Sequence, residues 1–156
     1  MPRRGRPERR PLLPDARFSS EQVARLINRV MLDGKKSLAE RIVYRSFDLV
    51  EQQTNRPALE VYLQAFRNVT PLMAVRPRRV GGATYQVPME MPAERGRSTA
   101  MKWLVTAARA RKGRPMYERL AAEIMDAARG QGAAARRREE THRMADANRA
   151  FAHYRW

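Results

Sequence analysis

VRPRRVGGATYQVPMEM, residues 75 to 91, is the one stretch that alternates like paired strands, set between segments with the periodicity of helices. Gly81 and Gly82 tolerate positive φ and suit a tight reversal between two antiparallel strands. On the incoming run Arg76, Arg78 and Val80 point one way and Val75, Pro77 and Arg79 the other; on the return Tyr85, Val87, Met89 and Met91 share a face. Pro77 and Pro88 lack a backbone donor, so neither run can be the middle strand of a sheet, and the segment is expected to form a two-stranded ribbon. Such a ribbon is marginal alone in water. Arg76, Arg78 and Arg79 repel one another unless an anion lies against them. Two readings stay open on this segment alone: a ribbon that binds a polyanion, and a solvated edge hairpin whose arginines discourage strand-to-strand association.

Across the whole chain, 156 residues of which 43% are hydrophobic suit one domain, 1–156, with its own core. The 32 basic residues against 16 acidic ones give a net charge of +16, which predicts a polyanionic partner. Only Lys35, Lys36, Lys102 and Lys112 are lysine; the other cations are arginines, whose planar fork suits phosphate and base edges. The absence of cysteine excludes disulfides, thiolate zinc sites and thiol nucleophiles. No run approaches the roughly 18 apolar residues of a membrane span, and MPRRGRPERRPLLP has no apolar region of signal-peptide length, so a cytoplasmic protein without membrane partners is expected.

Residues 1–17 mix Arg3, Arg4, Arg6, Arg9 and Arg10 with four prolines, a composition that predicts a disordered basic arm able to order on nucleic acid. Residues 18–71 read as three helices. Ser19 with Gln22 is a candidate capping box ahead of the stripe Val23, Leu26, Ile27, Val30 and Met31; Asp33 and Gly34 close that helix, with Lys35 and Lys36 in the turn. Ser37 with Glu40 is a second candidate box, ahead of Ala39, Ile42, Val43, Phe47 and Val50. Pro57 opens a third helix lined by Leu59, Tyr62, Leu63, Phe66 and Val69. After the arm of 72–91, residues 92–148 read as three more helices. Met101, Leu104, Val105 and Ala108 mark the fourth, which runs out in the basic loop Arg109, Arg111, Lys112 and Arg114. Tyr117, Leu120, Ala121, Ile124, Met125 and Ala128 mark the fifth. The sixth, from Ala134 to Asn148, has a thin stripe of Thr141, Met144, Ala145 and Asn148 and exposes Arg136, Arg137 and Arg138 near its start, where cations oppose the helix dipole and a phosphate would relieve them. The tail 149–156 has no evident period; Tyr154 and Trp156 could stack on bases and Arg155 meet phosphate, while Phe151 is expected to fold back on the bundle.

Chemistry is nearly silent. His142 and His153 are the only histidines, and the carboxylates occupy helix ends or adjoin arginines, so no catalytic residue, metal site, cofactor or small-molecule substrate is indicated. The pair His142 and Asp146 reads as a surface pair. Gly130-Gln131-Gly132 lacks the third glycine and the strand of a dinucleotide loop.

The expected fold is therefore mainly α: about six helices in a bundle, a protruding two-stranded β-hairpin arm and a basic N-terminal arm. Cations scattered over arm, turns, ribbon, loop and tail suit a folded RNA, held by shape and phosphate contacts, better than one DNA-reading helix. The runs DGKKSLAERI at 33–42, RRVGGATYQVPME at 78–90, KWL at 102–104 and MDAARGQGAAARRREETHRMADANRAFAHYRW from 125 to the end carry a resemblance to a family, that of the seventh protein of the small ribosomal subunit in its bacterial and organellar form. That resemblance implies a structural protein of the ribosome that binds 16S ribosomal RNA in the 3′ major (head) domain and nucleates its folding. It also implies a seat near the exit-site tRNA and the messenger RNA, beside other proteins of the head and platform. Carried onto this chain, ribosomal RNA contacts are expected at the N-terminal arginines, Lys35, Lys36, Arg76, Arg78, Arg79, the loop from Arg109 to Arg114 and Arg136, Arg137 and Arg138, while Arg78, Arg79, Gly81 and Gly82 of the arm and Tyr154, Arg155 and Trp156 of the tail are expected near the tRNA and messenger RNA. AHYRW matches the short-tailed form, and Lys102 stands where the resemblance leads one to expect arginine. The competing readings are an architectural DNA-bending protein with an arginine-tipped β-arm and, with no cofactor loop in its favour, an RNA-modifying enzyme.

Overall fold

A computed structural model of the chain describes Gly5 and residues 11–155. Arg3, Arg4, Arg6, Arg9, Arg10 and Trp156 lie outside the described residues. The order is α1 (Glu21–Val30), α2 (Lys36–Thr54), α3 (Ala58–Val69), β1 (Met73–Val80), β2 (Ala83–Glu90), α4 (Ala93–Ala110), α5 (Met116–Ala128), α6 (Gly132–Ala147) and a 3-10 turn, Arg149–Tyr154. The helical stripes meet as their spacing requires. Val23, Leu26, Val43, Phe47, Val50, Tyr62, Val69, Leu104, Leu120 and Ile124 are all within 1% of full burial, each contributing roughly 1.5–3 kcal/mol through removal from water. α5 is the central helix, packing on α2, α3, α4 and α6. A file of rings, Phe18, Phe47, Tyr62 and Phe66, crosses the core at centroid spacings of 5.1, 5.5 and 6.0 Å.

Neither capping box forms. Ser19 is held at φ +48°, outside the extended conformation a capping residue needs, and Ser20 precedes α1 without a side-chain cap. The turn is instead organised by Asp15, 7% exposed, whose carboxylate accepts the N–H groups of Arg17 and Phe18 and the hydroxyl of Tyr44 at 2.7 Å. Burial, reinforced by that bond, pushes the Tyr44 hydroxyl up to about 12, so it stays a donor. Asp33 and Gly34, both at positive φ, turn the chain so sharply that α2 starts one residue before Ser37 and leaves it inside the first turn. Glu40 pairs with Lys36 at 3.9 Å instead.

The ribbon has the predicted reversal, with Gly81 and Gly82 at φ +57° and +91° and Val80 opposite Ala83. In a two-residue hairpin the closing pair exchanges ladder bonds, and bonded and non-bonded pairs alternate from there. Pro77, opposite Gln86, and Pro88, opposite Val75, both fall at non-bonded positions, so neither costs the ribbon a bond. The outer residues Arg76, Pro77, Arg79, Thr84 and Gln86 are exposed, whereas Val87 and Pro88 are buried where β1 and β2 meet α6 and the 3-10 turn.

Two expectations for the C-terminal third are corrected. α6 buries Ala134, Ala135 and Ala145, and Met144, placed on the stripe from sequence, is 47% exposed. The face toward the ribbon carries His142, whose Nε2 accepts the N–H of Leu72 at 3.1 Å. The tail is a regular 3-10 turn; Phe151, expected on the bundle, and Tyr154, expected to meet bases, both pack on Tyr85 of the ribbon.

Candidate nucleic-acid interface

The apolar stripe of α1 leaves Arg25, Asn28 and Arg29 on the other side of the helix, facing the start of α4, which brings Arg97 and Ser98. Between them runs a groove of about 680 Å³ that also takes in Arg109 from the last turn of α4. Arg29 donates to Ser98 Oγ at 3.3 Å, and Arg109 donates to the carbonyl of Val30 at 3.3 Å, a cation at the negative end of α1. Arg25 is drawn to Glu21 at 2.6 Å, an exposed pair that is cheap to exchange for another anion. Gln22 Oε1, buried at the groove wall, has no hydrogen-bond partner among the described residues. Four guanidinium groups thus converge on one trough. Of these only Arg109 was singled out in sequence; Arg25, Arg29 and Arg97 sit at ordinary solvent-facing positions, and the available signal was the i,i+4 spacing of Arg25 and Arg29.

Asn28 also lines the neighbouring hollow that contains Lys36, so the turn bearing Lys35 and Lys36, both exposed, continues the same side. Beyond Arg109, Lys112 and Arg114 are exposed, but Arg111 is not a free cation. Its Nε and Nη2 donate to Glu123 Oε2 at 2.8 and 2.6 Å, and Nη2 also donates to Asp126. Burial opposes its charge, yet the Asp126 and Glu123 carboxylates outweigh that and raise its pKa. Glu123 is fully buried, and its Oε1 accepts the N–H of Ala134 in the first turn of α6 at 2.9 Å. The Arg111 carbonyl accepts from Arg119 at 2.7 Å, which fixes the path of the loop. Arg111 therefore joins three elements and presents its neighbours. On α6, Arg136 and Arg137 are exposed, Arg137 lying 3.8 Å from Glu140, while Arg138 is half-buried.

At the ribbon Arg76 and Arg79 are exposed and Arg78 is half-buried beside Tyr85 on the opposite strand. Gly81 and Gly82 form the exposed turn. Tyr154 stacks on Tyr85, so its ring is engaged within the protein, and Arg155 lies 3.9 Å from Glu90. Of the predicted cations, Arg109 alone joins the groove and Lys35 and Lys36 continue its side, whereas Lys112 and Arg114, Arg136 and Arg137, and Arg76 and Arg79 lie apart on loop, α6 and ribbon. Among the described residues no group of three or more histidine, cysteine or carboxylate side chains could hold a metal ion, and no helix is long and apolar enough to cross a membrane.

Comparison with known proteins follows the same direction. The sequence model of the family described as ribosomal protein S7p/S5e matches residues 2–149. The chain is 58% identical over 156 residues, the whole of both chains, to the small ribosomal subunit protein uS7 of Carboxydothermus hydrogenoformans. It is 56% identical over 156 residues, again all of both, to that of a Thermoanaerobacter species. With the protein of the same name from Chloroflexus aurantiacus identity is 58% over 154 residues, 99% of this chain and 98% of the relative.

Proposed function

The chain belongs to the ribosomal protein S7p/S5e family, and from that premise we propose that it is a structural protein of the cytoplasmic small ribosomal subunit, binding 16S ribosomal RNA in the head domain and nucleating its folding. Its work is RNA folding, with no chemical reaction. One observation carries the reading: solvent-facing cations stand at six separate places, Arg29 on α1, Lys35 and Lys36 at the α1–α2 turn, Arg76 and Arg79 on the ribbon, Arg97 and Arg109 on α4, Lys112 and Arg114 in the loop after it and Arg136 and Arg137 on α6, an arrangement that fits several backbones of a folded RNA at once. The ribbon, with Gly81 and Gly82 at its tip, is assigned to the side of exit-site tRNA and messenger RNA, and neighbouring proteins of head and platform complete the surroundings.

The test is the salt dependence of binding to the isolated 3′ major domain of 16S RNA. With about six to ten phosphates contacted, affinity is expected to fall roughly 10³- to 10⁵-fold between about 50 and 200 mM salt. A shallow slope overturns the reading. Efficient displacement of that RNA by duplex DNA would favour an architectural DNA-bending protein instead.

A further inference from the structure

We propose that the C-terminal 3-10 turn is a clasp that sets the direction of the arginine-bearing ribbon, with Phe151 and Tyr154 as its positioning residues. The turn spans Arg149–Tyr154, and at three residues per turn positions 151 and 154 project from the same side. Both rings close on Tyr85 of β2, with centroids 5.2 Å away in each case, and Tyr154 lies at only 25° to the Tyr85 plane. Tyr85 shares its ribbon face with the fully buried Val87 and stands opposite Arg78. The turn in its own right is anchored on α6: the N–H of Phe151 donates to the carbonyl of Asn148 at 2.9 Å, and the Asn148 side chain donates to the carbonyl of Met144 at 2.7 Å. The bond from Leu72 to His142 ties the foot of β1 to the same helix.

A two-stranded ribbon twists and bends freely unless a further layer is packed on it. Here α6 and its 3-10 continuation supply that layer on one side, so the position of Arg76 and Arg79 relative to the bundle depends on three rings. The exposed pair Arg155–Glu90 adds little. The inference rests on the RNA-binding reading and adds to it the residues that aim the arm without touching RNA.

The cysteine-free chain allows a direct test. Thr84→Cys, on the ribbon face away from Tyr85, and Ser37→Cys, at the start of α2, each carry a tethered cleavage reagent in otherwise full-length protein bound to the 16S head-domain RNA. Adding Tyr154→Ala is expected to weaken or spread cleavage from position 84 about threefold to tenfold, the scale of lost pre-organisation. Cleavage from position 37 should be unchanged, and Tyr154→Phe should restore the focused pattern. Tyr85→Ala should reproduce the effect, and the double variant should add nothing, since contacting residues are non-additive. Full additivity, or unchanged cleavage, overturns the clasp, the former because Tyr154 would then meet RNA itself. In the free protein, backbone amides of β1 and β2 in Tyr154→Ala should exchange about tenfold faster, with α3 and α5 unaltered; equal rates overturn the clasp. Absence of cleavage from both probes in the otherwise unaltered protein overturns the RNA-binding reading, and the exchange rates then decide the clasp on their own.

Discussion

Glu123 occupies the middle of the inward face of α5, between Leu120 and Ala127, with its side chain fully buried and both oxygens engaged. Glu123→Gln keeps the shape and the acceptor for Ala134 but removes the charge opposite Arg111, and is expected to lower stability by about 1.5–3 kcal/mol in urea unfolding. That variant raises the net charge, so a simple electrostatic account demands tighter RNA binding; a loop fixed by Arg111 demands weaker binding, which is the expected result. Gly96 gives a second case where opposed effects must be weighed. Alanine in a helix usually gains about 1 kcal/mol over glycine, but a Cβ here would lie 2.9 Å from the carbonyl oxygen of Pro71. Overpacking of that kind costs about 1–3 kcal/mol, so Gly96→Ala should lower the urea midpoint. Neither residue was legible in sequence. A carboxylate among alanines reads as solvated until a partner twelve residues upstream is brought to it, and the closeness of α4 to the α3–β1 connection leaves no local pattern.

The ribbon was legible because period-two alternation, a glycine pair and two prolines all agree on one element. Its foot was not. Sequence alternation does not say that Val87 is fully buried while Arg76, opposite it, stays exposed. Replacing Arg76 and Arg79 with alanine is expected to weaken RNA binding and leave the melting temperature nearly unchanged. Val87→Ala should destabilise by about 1–3 kcal/mol by leaving a cavity. α6 misled for a related reason: its inward face is made of Ala134, Ala135 and Ala145, too small to mark a stripe, so Met144 drew the assignment to the wrong side. The tail concealed a period of three within six residues, too short a window for periodicity to register. Of the interface, runs of adjacent cations were readable, whereas the groove arginines required two helices to be set side by side.

For the whole molecule, acid should loosen the join between bundle and ribbon. Burial, with the Arg138 charge, holds the His142 pKa below its ordinary 6.5 against the pull of Asp146, and Nε2 accepts from Leu72 only while unprotonated. The unfolded chain thus takes up this proton first on acidification, so the contribution is complete above 6.5 and is lost as pH falls from there through the folded value. The drop in melting temperature from about pH 7.5 to about 5.5 should be smaller in His142→Gln than in the unaltered protein. The two prolines have a further result at the scale of many molecules. Each interrupts the row of donors that points away from its partner strand: on β1 Pro77 is exposed, so a second hairpin arriving from solution finds no unbroken row of hydrogen-bond partners there, and on β2 Pro88 is buried, where packing already covers the edge. Copies waiting for their RNA at high concentration should therefore resist zipping together into fibres, and a variant with both prolines changed to threonine should show thioflavin binding that the parent does not.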